Sequence, residues 1–288
     1  MLRLGLGIGC LLAACYSPHP AAGAACAPGN TCPEPLECVS SPTGPVCEPH
    51  GTVFADASVA HDAPLADGNV DGPVTSDAPA DAQLPQPMLV QKANNFVTIG
   101  ATLQATFPNA PAAGDLVVMI GAANGGALDT VTGGGATTWM KATGSIVNTN
   151  VEIWYGYTNG TNPVVTITRA ANTNAMWMSI TEWSGMASTN VLDAASSNDG
   201  VTSPARSGSV TTAHAHDLML FAVADSNPPS YGTPAPGTWT VVDTVGPTPD
   251  FLQETWSREL FTAGFHSPSV ASSGNQWDAA AAAFAAAN

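Results

Sequence analysis

Apolar positions along this chain come in three textures. Leu4 to Leu12 is a short apolar run broken only by small residues. From about Glu48 to Pro87, apolar side chains are small and scattered among Asp, Ala, Pro and Gly. From residue 88 onward, runs of apolar, β-branched and aromatic residues alternate with clusters of Gly, Pro, Asn and Thr. Five of these runs predict strands: 115–120, 151–157, 163–168, 217–223 and 238–242. The clusters between them carry turn chemistry, and no segment sustains a helical period. The expected fold is therefore all-β. One stretch argues against it. Trp277 to Ala287 is mostly alanine, the best helix former.

The tryptophans bear on that conflict. Trp139 and Trp239 are 100 apart, Trp154 and Trp256 are 102 apart, and Trp177 and Trp277 are 100 apart. Gly114-Asp115-Leu116 answers His216-Asp217-Leu218, Thr138-Trp139 answers Thr238-Trp239, and Glu152-Ile153-Trp154 answers Glu254-Thr255-Trp256. Agreement in order and spacing points to an internal duplication with a period near 101. The halves would run from about 88–190 and 191–288. Trp177 to Trp183 reads as a strand, so its counterpart from Trp277 is expected to be a final strand, with alanines where a facing layer leaves little room. One sandwich built from two related halves is preferred to two separate ones.

Gly114-Asp115-Leu116 before the first strong strand, Thr138-Trp139 after a Gly-rich turn, and Glu182-Trp183-Ser184-Gly185 with Leu192-Asp193 at the midpoint carry a resemblance. The 88–288 region resembles β-sandwich modules of bacterial secreted and surface proteins, with jelly-roll or concanavalin-like character. These motifs are structural, so the resemblance implies a fold and no ligand.

The amino-terminal texture adds an address. Arg3 precedes the Leu4–Leu12 run, which is about half the length needed to span a bilayer and so reads as a signal-peptide core over 1–14. Leu12-Ala13-Ala14-Cys15 resembles the lipobox of bacterial lipoproteins, which implies cleavage before Cys15, lipid attachment at its thiol and a membrane partner. Several acyl chains, at about 0.8 kcal/mol per buried methylene, hold firmly. Tyr16 follows the cysteine, and in lipoproteins that is compatible with an outer membrane or cell-surface location. After an anchored amino terminus (15–25), Cys26, Cys32, Cys38 and Cys47 lie within a 22-residue stretch. In an oxidising compartment this even set reads as two disulfides in a small loop-rich knot (26–47), with the pairing open. Their gaps lack the C-x2-C knuckle of zinc ribbons. The knot and the following spacer look like the front end of myxobacterial surface lipoproteins.

Charge narrows the partners. Six Lys and Arg stand against 22 Asp and Glu, for a formal net charge of −16. Nucleic acid and anionic surfaces, which need clustered basic residues, are not expected partners. The 48–87 segment is too poor in apolar side chains to offset its ordering entropy and reads as a disordered Asp/Ala/Pro linker. Within it, Asp67-Gly68-Asn69-Val70-Asp71-Gly72 matches the opening of a calcium loop. Position 12 of that loop is Ala78 rather than Glu, and Pro73 follows the glycine. The match is read as chance.

Candidate chemistry is sparse. His214-Ala215-His216-Asp217 has the look of metal text, since alternating histidines share a strand face. It lacks a nearby third ligand, and His216 answers a turn glycine, so a solvated turn is expected, with no metal and no cofactor. No G-x-S-x-G occurs, and Gly133-Gly134-Gly135 is a turn with no Lys or helix after it to cradle phosphate. In Glu152/Trp154 and Glu254/Trp256 the carboxylate and indole are two residues apart and so share a face. Sugar-binding sheets use that pairing, the indole under the ring and the carboxylate on its hydroxyls. These four residues are the candidate glycan site; the competing reading makes the tryptophans packing residues. No complete catalytic set is present. The expectation is a lipid-anchored surface protein with a non-catalytic binding module for a glycan or envelope protein. The alternative is a polysaccharide lyase or glycoside hydrolase using Glu152 or Glu254.

Overall fold

The structure is a computed structural model. It describes residues 36–41, 44–49 and 86–288, apart from 148, 171–173, 227–229, 247–250, 275 and 288. The expected signal segment, Cys15, Cys26, Cys32 and nearly all of the linker, including the calcium-like stretch, lie outside the described residues. The chain divides into two compact units, Met1–Asp77 and Ala78–Asn288. In the first, β1 (Leu36–Ser41) and β2 (Gly44–Pro49) form an antiparallel hairpin that sets Cys38 opposite Cys47. Cys47 is buried and disulfide-bonded.

The second unit is an all-β sandwich, and no helix occurs among the described residues. Its first five-stranded sheet is built from β3 (Met88–Val97), β5 (Leu116–Ala123), β7 (Met140–Ser145), β8 (Val151–Tyr157) and β10 (Met176–Ser184), in the order β3-β10-β5-β8-β7. The second uses β11 (Leu192–Gly200), β14 (Asp217–Ser226), β15 (Thr240–Val245), β16 (Phe251–Leu260) and β19 (Trp277–Phe284), in the order β11-β19-β14-β16-β15. All neighbours are antiparallel. Taken strand by strand, the two orders are the same. The outer face of the first sheet is covered by β4 (Thr102–Thr106), β6 (Thr130–Gly133) and β9 (Val164–Thr168), paired β4-β9-β6. Over the second the cover is broken into two short pairs, β12 (Ala205–Arg206) with β18 (Ser269–Val270), and β13 (Val210–Thr212) with β17 (Gly264–His266).

Three apolar layers result. The central one brings Leu116, Val118, Ile120, Ile153 and Trp177 of the first sheet against Leu218, Leu220, Ala282 and Phe284 of the second. An outer layer joins Val117, Met119, Met178 and Ile180 to Leu103, Val165 and Ile167. The other joins Phe221, Trp256 and Trp277 to Ala205, Val210 and Val270. The single sandwich expected from the sequence is thus the central pair, and each half adds an outer layer of its own. β5 and β14 are buried on both faces, which is why they are written as continuous apolar runs rather than alternating ones.

The same double burial settles the alanine stretch. β19 lies between β11 and β14 with every residue buried. Ala280 and Ala282 face the central layer, while Ala279, Ala281 and Ala283 face the outer one. A residue without a long side chain fits where two layers close on one strand, and tertiary burial overrides helix propensity.

One spacing inferred from the sequence is corrected. Trp177 faces the central layer and Trp277 the outer one. In the ladders Trp177 pairs with Ala122, and the residue paired with the corresponding Ala224 is Asp278. The structural counterpart of Trp177 is therefore Asp278. A one-residue offset reverses the face of a side chain, so two tryptophans 100 apart end on opposite sides of their sheets.

Contacts across the central layer come in matching pairs. β15 packs on β3 and β10, and β7 packs on β11 and β19, so each half offers its edge strand to the other. Trp177 lies on Phe251 with ring centroids 5.1 Å apart. At the corresponding positions, Asp278 accepts hydrogen bonds from Thr149 N at 2.5 Å and Thr149 Oγ1 at 3.2 Å. Asp243 on β15 accepts Asn94 Nδ2 at 3.0 Å and Ser179 Oγ at 2.6 Å. This reciprocity is the geometry of an isologous interface within one chain.

Candidate functional site

The sugar platform expected at the two Glu/Trp pairs is corrected by burial. Glu152 and Trp154 do share a face, the outer face of the first sheet, but Glu152 is fully buried. Its carboxylate accepts Leu128 N at 2.9 Å and Trp154 Nε1 at 2.8 Å, and pairs with Lys141 Nζ at 3.0 Å. Those bonds occupy the carboxylate a sugar would need, and the half-buried Trp154 ring has Lys141 Nζ over it at 5.9 Å. Trp256 is 1% exposed, stacked on Phe221 and edge-on to Tyr231. Glu254, on the outer face of the second sheet, is partly buried, and burial raises its pKa. The two glutamates point away from each other with the central layer between them, so they are not placed as an acid–base pair across one substrate.

The His-Ala-His text also resolves differently from a strand face. Residues 213–216 form the bend between β13 and β14, and the two imidazoles part. His216 adopts φ 64°, where its counterpart Gly114 has φ 93°. A left-handed conformation is cheap for glycine and uncommon for histidine. Here it is held by three contacts: His216 N donates to Leu260 O at 2.5 Å, Nδ1 meets Glu259 Oε1 at 3.2 Å, and the ring stands edge-on to Phe261 at 5.9 Å. Strain retained at one of two corresponding turns directs attention to what it positions.

What it positions is the wall of a cleft of about 300 Å³ at the rim of the central layer. Pro87 and Trp183, from the first half, and Leu218 form the apolar side. Thr238, Thr240, Ser257, Arg258, Glu259 and Phe261 supply hydroxyls, a guanidinium, a carboxylate and an aromatic ring. Phe261 is 64% exposed, so most of its ring is open to solvent. Arg258 is anchored by Nη1 donating to Pro236 O at 2.8 Å. Trp183, Leu218 and Thr238 stood out in the sequence only as fold or repeat motifs, and none of the lining residues was marked as a binding wall; the available signal was a histidine in a glycine position with Phe261 just beyond a strand.

His214 turns to a different group. Its Nδ1 lies 3.2 Å from Asp193 Oδ1, and Asp217 is close to both. Asp193, near the start of β11, is the third residue that the sequence text lacked. Asp217 is pushed up to about 8, first by burial and then by the facing Asp193 carboxylate. For Asp193 burial works upward, but the hydrogen bonds from Asp217 and from the amides of Ala213 and His214 bring it below the usual range.

The equivalent corner of the first half pairs Asp115 with the fully buried Glu182, which accepts Ala112 N at 2.6 Å. Asp115 is raised to about 6, by burial first and then by its hydrogen bond to Glu182 and that residue's charge. A raised carboxyl contributes stability below its unfolded value, near 4, and loses it as pH climbs through about 6. Between pH 4 and 7 the melting midpoint of wild type is expected to lose ground against Asp115→Asn. Parallel pH dependences in the two proteins would contradict this.

Comparison with known proteins finds no match: no protein-family model, curated protein or solved structure matches the chain.

Proposed function

We propose that the chain is an exported envelope lipoprotein, anchored through acyl chains on Cys15, whose β-sandwich head is a non-catalytic module that binds glycan in the rim cleft. The single observation that carries the binding reading is the cleft's composition. An exposed ring at Phe261, the opposite charges of Arg258 and Glu259, and three hydroxyl side chains stand around an apolar floor. A sugar presents a C–H face to an aromatic ring and hydroxyls to fixed acceptors and donors, and this wall offers both kinds of contact. Glu259 is the one carboxylate among the described residues lining it, whereas glycoside hydrolysis uses two. The anchor rests on Leu12-Ala13-Ala14-Cys15, and the 48–87 spacer would hold the head clear of the membrane. The shared strand order and the reciprocal contacts support reading the halves as copies of one ancestral sandwich.

A panel of glycans and envelope components, screened with wild type and Phe261→Ala, tests the reading. Wild type should bind a glycan, the variant should lose roughly tenfold or more in affinity, and Glu152→Gln should bind like wild type. Binding to no glycan, or equal binding by Phe261→Ala, would remove it. Release of reducing ends from a polysaccharide would favour the lyase or hydrolase instead.

A further inference from the structure

We propose that Asp193, His214 and Asp217 form a binding site for one divalent transition-metal ion of the zinc class. The site is separate from the rim cleft: His216 turns to Glu259 and Phe261, while His214 turns to Asp193. One ligand atom from each of the three residues lies within 4.8 Å of the others.

Two features separate this group from an ordinary acidic cluster. Asp217 is fully buried, and apart from the facing Asp193 carboxylate nothing hydrogen-bonds to either of its oxygens among the described residues. Buried carboxylates are normally satisfied by donors, and one that faces a second carboxylate instead calls for a cation or a shared proton. Asp193 is also oriented as a ligand is. Its Oδ2 accepts the amides of Ala213 at 2.6 Å and His214 at 3.1 Å, which turns Oδ1 toward the His214 ring. Such outer hydrogen bonds are what fix a metal-ligating carboxylate.

The donor set selects the metal class. An imidazole nitrogen with two carboxylates suits zinc and its neighbours, whereas calcium takes six to eight oxygens. The 3.2 Å between His214 Nδ1 and Asp193 Oδ1 matches the edge of a tetrahedron whose ligands stand about 2.0–2.1 Å from zinc. Two carboxylates would neutralise the ion's charge in a place where Asp217 has no other counter-charge within ion-pair distance among the described residues. A cleft of about 130 Å³, lined by Thr189, Asn190, His214 and Ala286, adjoins the group and leaves room for a fourth ligand. The first half cannot form the same site, because the counterpart of His214 is Ala112 and the acidic pair there is Asp115 with Glu182.

Calorimetric titration of the full chain with Zn2+ tests the site, in wild type, His214→Ala, Asp217→Asn and His216→Ala. Wild type and His216→Ala should share one saturable site. His214→Ala and Asp217→Asn should each weaken it by at least about tenfold, since losing a ligand costs no less than losing an orienting partner. Zn2+ should also raise the melting midpoint of wild type and not of Asp217→Asn. The exposed His214 side chain can be removed without opening the core, so a folding defect in Asp217→Asn leaves the test intact. Equal Zn2+ binding in all four chains, no saturable site in wild type, or an equal midpoint shift with Ca2+ would overturn the proposal.

Discussion

Asp278→Ala is expected to destabilise the head by about 3–5 kcal/mol, lowering its melting midpoint by on the order of 10 °C. Asp278 is fully buried on β19, yet its carboxylate reaches out of the second half to bind the loop between β7 and β8 of the first. It accepts Ser145 Oγ, Thr149 N at 2.5 Å, Thr149 Oγ1 at 3.2 Å, and Val147 N and Asn150 N at 3.3 Å. Several of those donors are backbone amides that cannot turn away to find another acceptor. Removing the carboxylate strips them of a charge-assisted acceptor in a buried place, and the cost is set by the stranded donors more than by the lost bonds. Asp278→Asn keeps one acceptor oxygen and should fall between wild type and alanine. A denaturant melt of the three proteins measures this; an alanine variant within about 1 kcal/mol of wild type would refute the clasp.

The other large effect is expected at the same structural position of the first half. Trp177→Ala should cost about 3–5 kcal/mol, because it removes a fully buried indole from the central layer and leaves Phe251 facing a void. The two substitutions break cross-half contacts at corresponding positions of the two sheets, one apolar and one polar. Equilibrium unfolding of Trp177→Ala decides it, and a loss of less than about 1.5 kcal/mol would mean that the site collapses or that the halves do not share this layer.

The run 163–168 falls on β9, whose burial alternates, but the most legible part of the fold was the part buried on both faces. The run 151–157 coincides with β8, and the runs opening at Asp115 and Asp217 lie on β5 and β14, because strands closed between two layers are written as unbroken apolar text. The edge strands β3 and β11 were not legible, whereas the run 238–242 overlaps the edge strand β15. β3 carries Lys92, Asn94 and Asn95, and β11 reads as turn residues, since edge positions use polar side chains to reach across the layer, as Asn94 reaches Asp243. β12 and β18 span two residues each, too short for any period. The Trp177/Trp277 spacing hid its slip because a count along the chain carries no information about face.

The site was harder to read for a related reason. Glu152 and Trp154 do share a face, but alternation says only which side a residue takes, not whether that side is wet. A second layer covers it, and the pair is spent on Leu128 and Lys141. Asp193 joins His214 only because β11 starts beside the bend that follows β13, 20 residues downstream. Trp183 and Phe261 line one cleft only because the halves pack face to face. Both groupings belong to the tertiary structure and have no local signature.

Hydrogen exchange of the full chain, free and with the glycan that the screen selects, tests the central claim most directly. Slower exchange over residues 238–240 and 257–261, with 151–157 unchanged, is the predicted result. Protection confined to 151–157, or no change around the rim cleft with glycan bound, would contradict it.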